Sequence, residues 1–338
     1  MIRIGVIGFG VMGRTHLGAF GRDPRCRVVS VATKDLPAIA AAGNIDGQSD
    51  AGLGDDVTVH HDAADLIADR SIDAVSICVP TPLHVELALA ALVAGKHVLV
   101  EKPLARTAAE CAPVLEVASR APHLVCMPAM CIRFWPGWTW LRDTIRAGTY
   151  GAVQSAVFTR IGGIPRWNEA FYLDPALSGG AVLDLHIHDA DFILHCFGPP
   201  TRVSARGVIG PRGGIDHVLA TYEYPNGPAL VAAEGGWMPG DEYPFTMRYR
   251  VRFEEATAVF ELGAETPLRV HRDGAGPEAI AIPSGTGYDG EVAHFLDCIE
   301  HRRPPSVVTL ADGARAVALI EAERRSVREA APVPFDPA

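Results

Sequence analysis

MIRIGVIGFGVMGRTH, Met1 to His16, decides the fold. Its first part, residues 2–7, is a short run rich in β-branched side chains and reads as a strand. Residues 11–21 read as a helix. Between them stands GFGVMG, Gly8 to Gly13, a G-x-G-x-x-G. Alone that pattern is weak. Between a strand and a helix it is the fingerprint of a dinucleotide-binding turn. Gly8 permits the tight turn, Gly10 lets the backbone approach a pyrophosphate, and Gly13 allows close packing of helix on strand. Phe9, Val11 and Met12 complete the loop. The helix N-terminus offers N–H groups and a positive dipole end to the phosphates.

Outward from this turn, the first 125 residues alternate between apolar strand-like runs and helical stretches. Strands are expected near residues 27–32, 57–60, 73–79, 97–101 and 123–127. Apolar strands separated by helices imply a parallel, doubly wound sheet covered on both faces. Ligands of such a sheet lie at the carboxyl ends of the strands. That places Val79, Pro80, Thr81 and His84 of VPTPLH, with Glu101 and Lys102, around the nicotinamide end of a cofactor. At the end of the second strand an acidic residue normally holds the adenosine ribose. Here Thr33 and Lys34 stand in VVSVATKD. A hydroxyl and an ammonium attract a 2′-phosphate, which favours NADP(H) slightly over NAD(H). Asp35, one step on, keeps NAD(H) open.

Lysine is scarce: three lysines, at 34, 96 and 102, stand against 27 arginines among the 30 basic residues. Two of the three lie in KHVLVEKPLA, residues 96–105. Arginine stays charged, whereas lysine is a compact donor that can trade protons. Lys102 is therefore a candidate catalytic group, and solvated surface lysine is the bland alternative.

After about residue 134 the pattern changes to alternating runs separated by turns such as Pro225-Asn226-Gly227, which suggests a large open, mostly antiparallel sheet. The division expected is residues 1–125 for cofactor binding and 126–338 for substrate binding. Within the second part, SGGAVLDLHIHDADFILHCFG holds Asp184, His186, His188 and Asp189. Asp184 and His188, four apart, share one face of an α-helix. They are candidates to act with Lys102 on a substrate hydroxyl. An HxH metal site is the rival, but ligands two apart on a helix diverge by about 200°, so no metal is expected and His186 is given a structural role. Arg133, Arg160, Arg166, Trp167 and Tyr172, with His188, are the candidates to bind substrate, since aromatic faces stack on C–H surfaces and arginine fixes hydroxyls or a carboxylate.

The net charge of −10, without a basic block, excludes the phosphate-tracking surface a nucleic-acid partner needs. No apolar run is long enough to span a membrane. Seven scattered cysteines without a CxxC, and no basic-then-apolar leader, lead to the expectation of a cytoplasmic protein with reduced thiols.

Three elements then coincide in order: GFGVMG, PTPLH followed by AGKHVLVEKP, and SGGAVLDLHIH. With CIRFWPGWTWLRDTIRAGTYG and the closing GYDGEVAHFLDCIEHRRPPSVVTLADGARAVALIEA, they resemble the glucose–fructose oxidoreductase / inositol dehydrogenase (Gfo/Idh/MocA) family over nearly the whole chain. The resemblance implies a Rossmann domain joined to an α/β domain whose sheet forms a homodimer or homotetramer interface. It implies an NAD(P)-dependent dehydrogenase or reductase acting on a sugar or cyclitol, with Lys102, Asp184 and His188 as the catalytic set. Other branches of the family cleave glycosides or serve as sensors. Many relatives carry Gly where His186 stands here.

Overall fold

The computed structural model describes residues 1–34, 52–54, 56–166, 168–240 and 243–336. The chain forms two compact units. The first comprises residues 1–134 and 285–314, the second residues 135–284 and 315–338. The units are thus not two consecutive halves, as a single border near 125 would make them. Residues 285–314 return to the first.

In chain order, the first unit contains β1 (Ile2–Ile7), α1 (Val11–Arg22), β2 (Cys26–Ala32), β3 (Thr58–His60), α2 (Ala63–Ala68), β4 (Ala74–Ile77), α3 (His84–Val93), β5 (His97–Glu101), α4 (Ala108–Arg120) and β6 (Cys126–Ala129). All six strands are parallel, in the order β3-β2-β1-β4-β5-β6. This is the doubly wound order with its switch point between β1 and β4. β4 and β6 are shorter or shifted relative to the expected runs. Lys96, the first lysine of KHVLVEKPLA, donates from Nζ to the carbonyls of Asp69 and Ile72 at 2.7 Å each, and it is buried. It closes the turn after α2, so its retention has a structural cause.

The second unit begins with α5 (Pro136–Ala147), which Gly148 ends in the left-handed conformation at φ 62°. β7 (Val153–Gly163), two single-turn helices α6 (Glu169–Tyr172) and α7 (Pro175–Ser178), and α8 (Ile187–Phe197) follow. Then come β8 (Arg202–Ile209), β9 (Ile215–Glu223), β10 (Leu230–Met238), β11 (Thr246–Phe253), β12 (Thr257–Glu261), β13 (Leu268–His271) and β14 (Glu278–Ala279). α9 (Gly287–Glu300) belongs to the first unit, where it packs on α1. α10 (Leu310–Glu329) passes from the first unit into the second, and β15 (Val333–Pro334) closes the chain.

These strands build a nine-stranded sheet, β14-β13-β12-β11-β7-β10-β9-β8-β15, antiparallel except for β7 with β10. Its physical origin is plain in β11, TMRYRVRF: Met247, Tyr249, Val251 and Phe253 are buried, while Arg248, Arg250 and Arg252 are exposed. The buried face receives α5 and α8. Trp138 of α5 sits at its centre, with ring centroids of Phe158, Phe192 and Tyr249 at 5.6, 4.9 and 5.2 Å. Gly137 leaves room for the Phe260 ring, and the Tyr249 hydroxyl donates to the Gly137 carbonyl at 2.8 Å. All seven cysteines are free, and no helix among the described residues is long and apolar enough to cross a membrane.

Candidate functional site

In the first unit the carboxyl ends of β1, β2, β4 and β5 come level. Gly8 N donates to Ala32 O at 2.8 Å and Cys78 N to Ile7 O at 2.7 Å. Gly8 has φ 93°, and a Cβ there would stand 2.5 Å from Cys78 O. Gly13 is under the same pressure: its Cβ would meet Gly8 O at 2.0 Å. Gly10 differs, since nothing lies within 4 Å of where its Cβ would be. No side chain caps α1 at Gly10. An open backbone face at an uncapped helix N-terminus is what a dinucleotide's phosphates require. The Gly8–Gly13 turn therefore has the open backbone face that the phosphates of NAD(P) would need. Thr33 follows β2 directly, its N–H donating to His60 O at 3.0 Å, and Lys34 next to it is exposed. Asp35 lies outside the described residues.

Two residues expected at the cofactor turn out to face inward. His84 is buried, with Nδ1 2.8 Å from Pro103 O and Nε2 2.8 Å from Val79 O. It staples the turn after β4 to the turn after β5, and burial, the largest influence on it, lowers its proton affinity. Glu101 is also buried. Its Oε1 lies 3.0 Å from His16 Nε2 and its Oε2 accepts from Lys102 N at 2.9 Å. Both hold Lys102 in place and are removed from solvent. The peptide bond between Lys102 and Pro103 is cis.

In the second unit, residues Val182–His186 form a π-helical turn that runs into α8. Asp184 lies on the wider turn and His188 on the α-helix, so the four-residue spacing does not act as it would in an unbroken α-helix. π-turns carry one extra residue and re-aim the side chains around them. Both residues are half-buried. His186 is buried in the core of the second unit. Its Nε2 lies 3.0 Å from Glu323 Oε2 of α10 and 3.5 Å from the Tyr222 hydroxyl, which donates to Glu323 Oε1 at 2.7 Å. Gly235 leaves the space this ring needs, for a Cβ there would lie 2.5 Å from Nδ1. Burial opposes charge on His186, but Glu323 and Asp189 outweigh it and raise its proton affinity. No group of three or more His, Cys, Asp and Glu is placed to hold a metal among the described residues.

Two proposed substrate ligands are committed elsewhere. Arg160, 1% exposed, donates from Nε and Nη2 to Asp189 at 2.9 and 3.1 Å and lies over the Trp138 ring. Arg133 is buried and donates to Val307 O at 2.8 Å, with Asp312 at 3.4 Å. Moving either guanidinium out of these contacts would leave a buried carboxylate or carbonyl unpaired. Arg166 is exposed and pairs with Glu169 at 2.6 Å. Tyr172 packs edge-on to Trp237. Trp167 lies outside the described residues. Partners such as Glu323 and Tyr222 of His186, or Glu291 beside His16, have no signal in the sequence because they are brought in from more than thirty residues away by the fold.

A dinucleotide cradle at the switch point of a doubly wound sheet is the arrangement by which nicotinamide-dependent oxidoreductases bind NAD(P). The chain belongs to the Gfo/Idh/MocA oxidoreductase family: the model for the oxidoreductase family with NAD-binding Rossmann fold matches residues 2–128, and the GFO/IDH/MocA C-terminal domain matches residues 138–259. Among curated relatives, inositol 2-dehydrogenase 1 of Saccharopolyspora erythraea is 36% identical over 151 residues, 44% of this chain and 43% of its own length, so that match spans less than half of the relative. The dTDP-3,4-didehydro-2,6-dideoxy-alpha-D-glucose 3-reductase of Saccharopolyspora spinosa is 30% identical over 75% of this chain and 71% of its own. The solved structure of levoglucosan dehydrogenase in complex with NADH superimposes with TM-score 0.83 at 22% identity, covering 99% of both chains, a likeness of fold.

Proposed function

We propose that this chain transfers a hydride between NAD(P) and a hydroxyl or ketone of a sugar, sugar derivative or cyclitol, with Lys102, Asp184 and His188 as reacting groups. The observation that carries the proposal is the Lys102 turn, pinned by Glu101 and His84 at the strand ends that also carry the Gly8–Gly13 cradle. The names of the relatives, an inositol dehydrogenase and a nucleotide-sugar reductase, support the substrate class.

When bound, the nicotinamide accepts or returns the hydride. His188 takes the proton of the reacting hydroxyl, as an imidazole near neutrality can. Lys102 donates a hydrogen bond to the oxygen as negative charge develops on it, a role that suits a compact ammonium. Asp184 orients His188. Arg166, Tyr172 and His188 remain the candidates to bind substrate. Purified protein given NAD⁺ or NADP⁺ and a panel of sugars and cyclitols should show saturable reduction of the cofactor with at least one of them. Cofactor binding without hydride exchange across the panel would refute the proposal. Release of an aryl glycoside's aglycone without net cofactor change would replace it with redox-assisted cleavage.

NADP(H) is the preferred cofactor in this reading, carried by Thr33 and Lys34. Thr33→Asp places a carboxylate against a 2′-phosphate. The NADP-to-NAD ratio of kcat/KM should then fall by about tenfold or more, equivalent to ~1.4 kcal/mol. An unchanged ratio would show that the end of β2 does not read the ribose.

A homodimer or homotetramer through the nine-stranded sheet completes the proposal. Val208, Leu219 and Leu230 are exposed, and the register of β8, β9 and β10 puts them on one face. Exposed apolar patches of that kind mark association surfaces. Light scattering should report an oligomer that Leu219→Arg breaks, and a monomeric wild type would refute it.

A further inference from the structure

Beneath the Lys102 turn the first unit buries a cluster that the proposed reaction does not use. His16 of α1 has Nδ1 2.8 Å from Ser76 Oγ, and Nε2 3.0 Å from Glu101 Oε1 and 3.5 Å from Glu291 Oε1. Glu291 comes from α9, in the segment that returns to this unit. Both its side chain and that of His16 are 0% exposed. One imidazole nitrogen therefore faces two buried carboxyl groups.

The hydrogen bonds distinguish the two acids. Glu101 accepts from His16 and from Lys102 N. Neither oxygen of Glu291 accepts a hydrogen bond from a described residue. A buried carboxylate without donors is far costlier than a buried neutral acid, while one imidazolium balances only one negative charge. We propose that Glu291 holds a proton at neutral pH, that Glu101 and His16 carry the opposed charges beside it, and that the three act as positioning residues for Lys102 through the Glu101–Lys102 N–H bond. The electrostatics run the same way. Burial, then the Glu101 and Asp289 charges, push Glu291 well above the usual carboxyl range against the pull of His16. Burial also works against the charged form of Glu101, but His16 and Lys102 outweigh it and leave that carboxyl low. For His16, burial is outweighed by Cys78 and Glu101, and the balance is a strongly raised proton affinity.

The link to Lys102 rests on the reaction proposed above; the protonation of Glu291 does not. Infrared difference spectra in deuterated buffer at neutral pD test the latter on the intact chain. The wild type should show the carbonyl stretch of a protonated carboxyl, lost in Glu291→Gln and equally in Glu291→Leu, so either variant suffices if the other fails to fold. A wild-type spectrum without the band, or a band that survives both substitutions, overturns the proposal. Glu101→Gln removes the cluster's negative charge, so one neighbour must respond. Either the Glu291 band disappears or the ¹⁵N shifts of His16 change from imidazolium to neutral imidazole; persistence of both states refutes the shared charge. In the same variant kcat should fall by about 100-fold, the cost of a misplaced reacting group. Unchanged turnover with an altered cluster would overturn the link to Lys102 and leave the proton on Glu291.

Discussion

Lys102→Met is expected to lower kcat by about 10³-fold, within the range for loss of a positioned acid–base or charge-stabilising group, while nicotinamide-cofactor binding shifts by less than roughly threefold. Methionine keeps the length and apolar stem of lysine and removes only the ammonium. The turn that carries residue 102 is held by backbone and by neighbours, namely Glu101 Oε2 on its N–H and His84 on the Pro103 carbonyl. The variant should therefore fold, and the loss should read as chemistry. Lys102→Arg keeps the charge on a larger, planar head and should recover little of it. Stopped-flow reduction of cofactor with saturating substrate, beside a fluorescence titration of reduced cofactor, separates the two effects. An arginine variant with most of the wild-type turnover would show that any cation suffices there.

The second large effect concerns stability. Arg160→Ala leaves Asp189 charged inside the second unit, because both oxygens of that carboxylate face the missing guanidinium. Breaking a buried pair from one side costs about 3–5 kcal/mol. For a unit of this size that lowers the melting temperature by on the order of 10 °C. The double variant Arg160→Met, Asp189→Leu removes both charges and keeps the volume, so most of the loss should return. If Arg160→Ala instead melts with the wild type and raises only KM for substrate, the residue binds substrate after all.

That contrast shows what a sequence can carry. The glycine turn, the strand and helix order of the first 130 residues and the alternation in β11 are local patterns, and each survives in the fold. Gly8, Gly10 and Gly13 could be given distinct duties because each duty follows from geometry within six residues. Arg160 and Arg133 could not be placed. Whether an arginine meets a ligand or an internal carboxylate depends on Asp189 or Asp312, and sequence spacing does not encode that meeting. The four-residue spacing of Asp184 and His188 is read on an unbroken α-helix, and the π-turn at Val182–His186 that precedes α8 is not written in that spacing. Lys96, as scarce a residue as Lys102, could be given its structural duty only once the carbonyls of Asp69 and Ile72 were seen around it.

The return of Gly285–Ala314 to the first unit has a consequence for biosynthesis. On the ribosome, β1 to β6 emerge long before α9 has been translated. At roughly 5–20 residues per second, the nascent Rossmann half waits on the order of ten seconds or more for the helix that covers α1. During that interval His16 lacks one of its two acids and the α1 face stays open to chaperones. The half made first is thus completed only once residue 314 has been made, and truncation anywhere before Gly285 leaves it without α9.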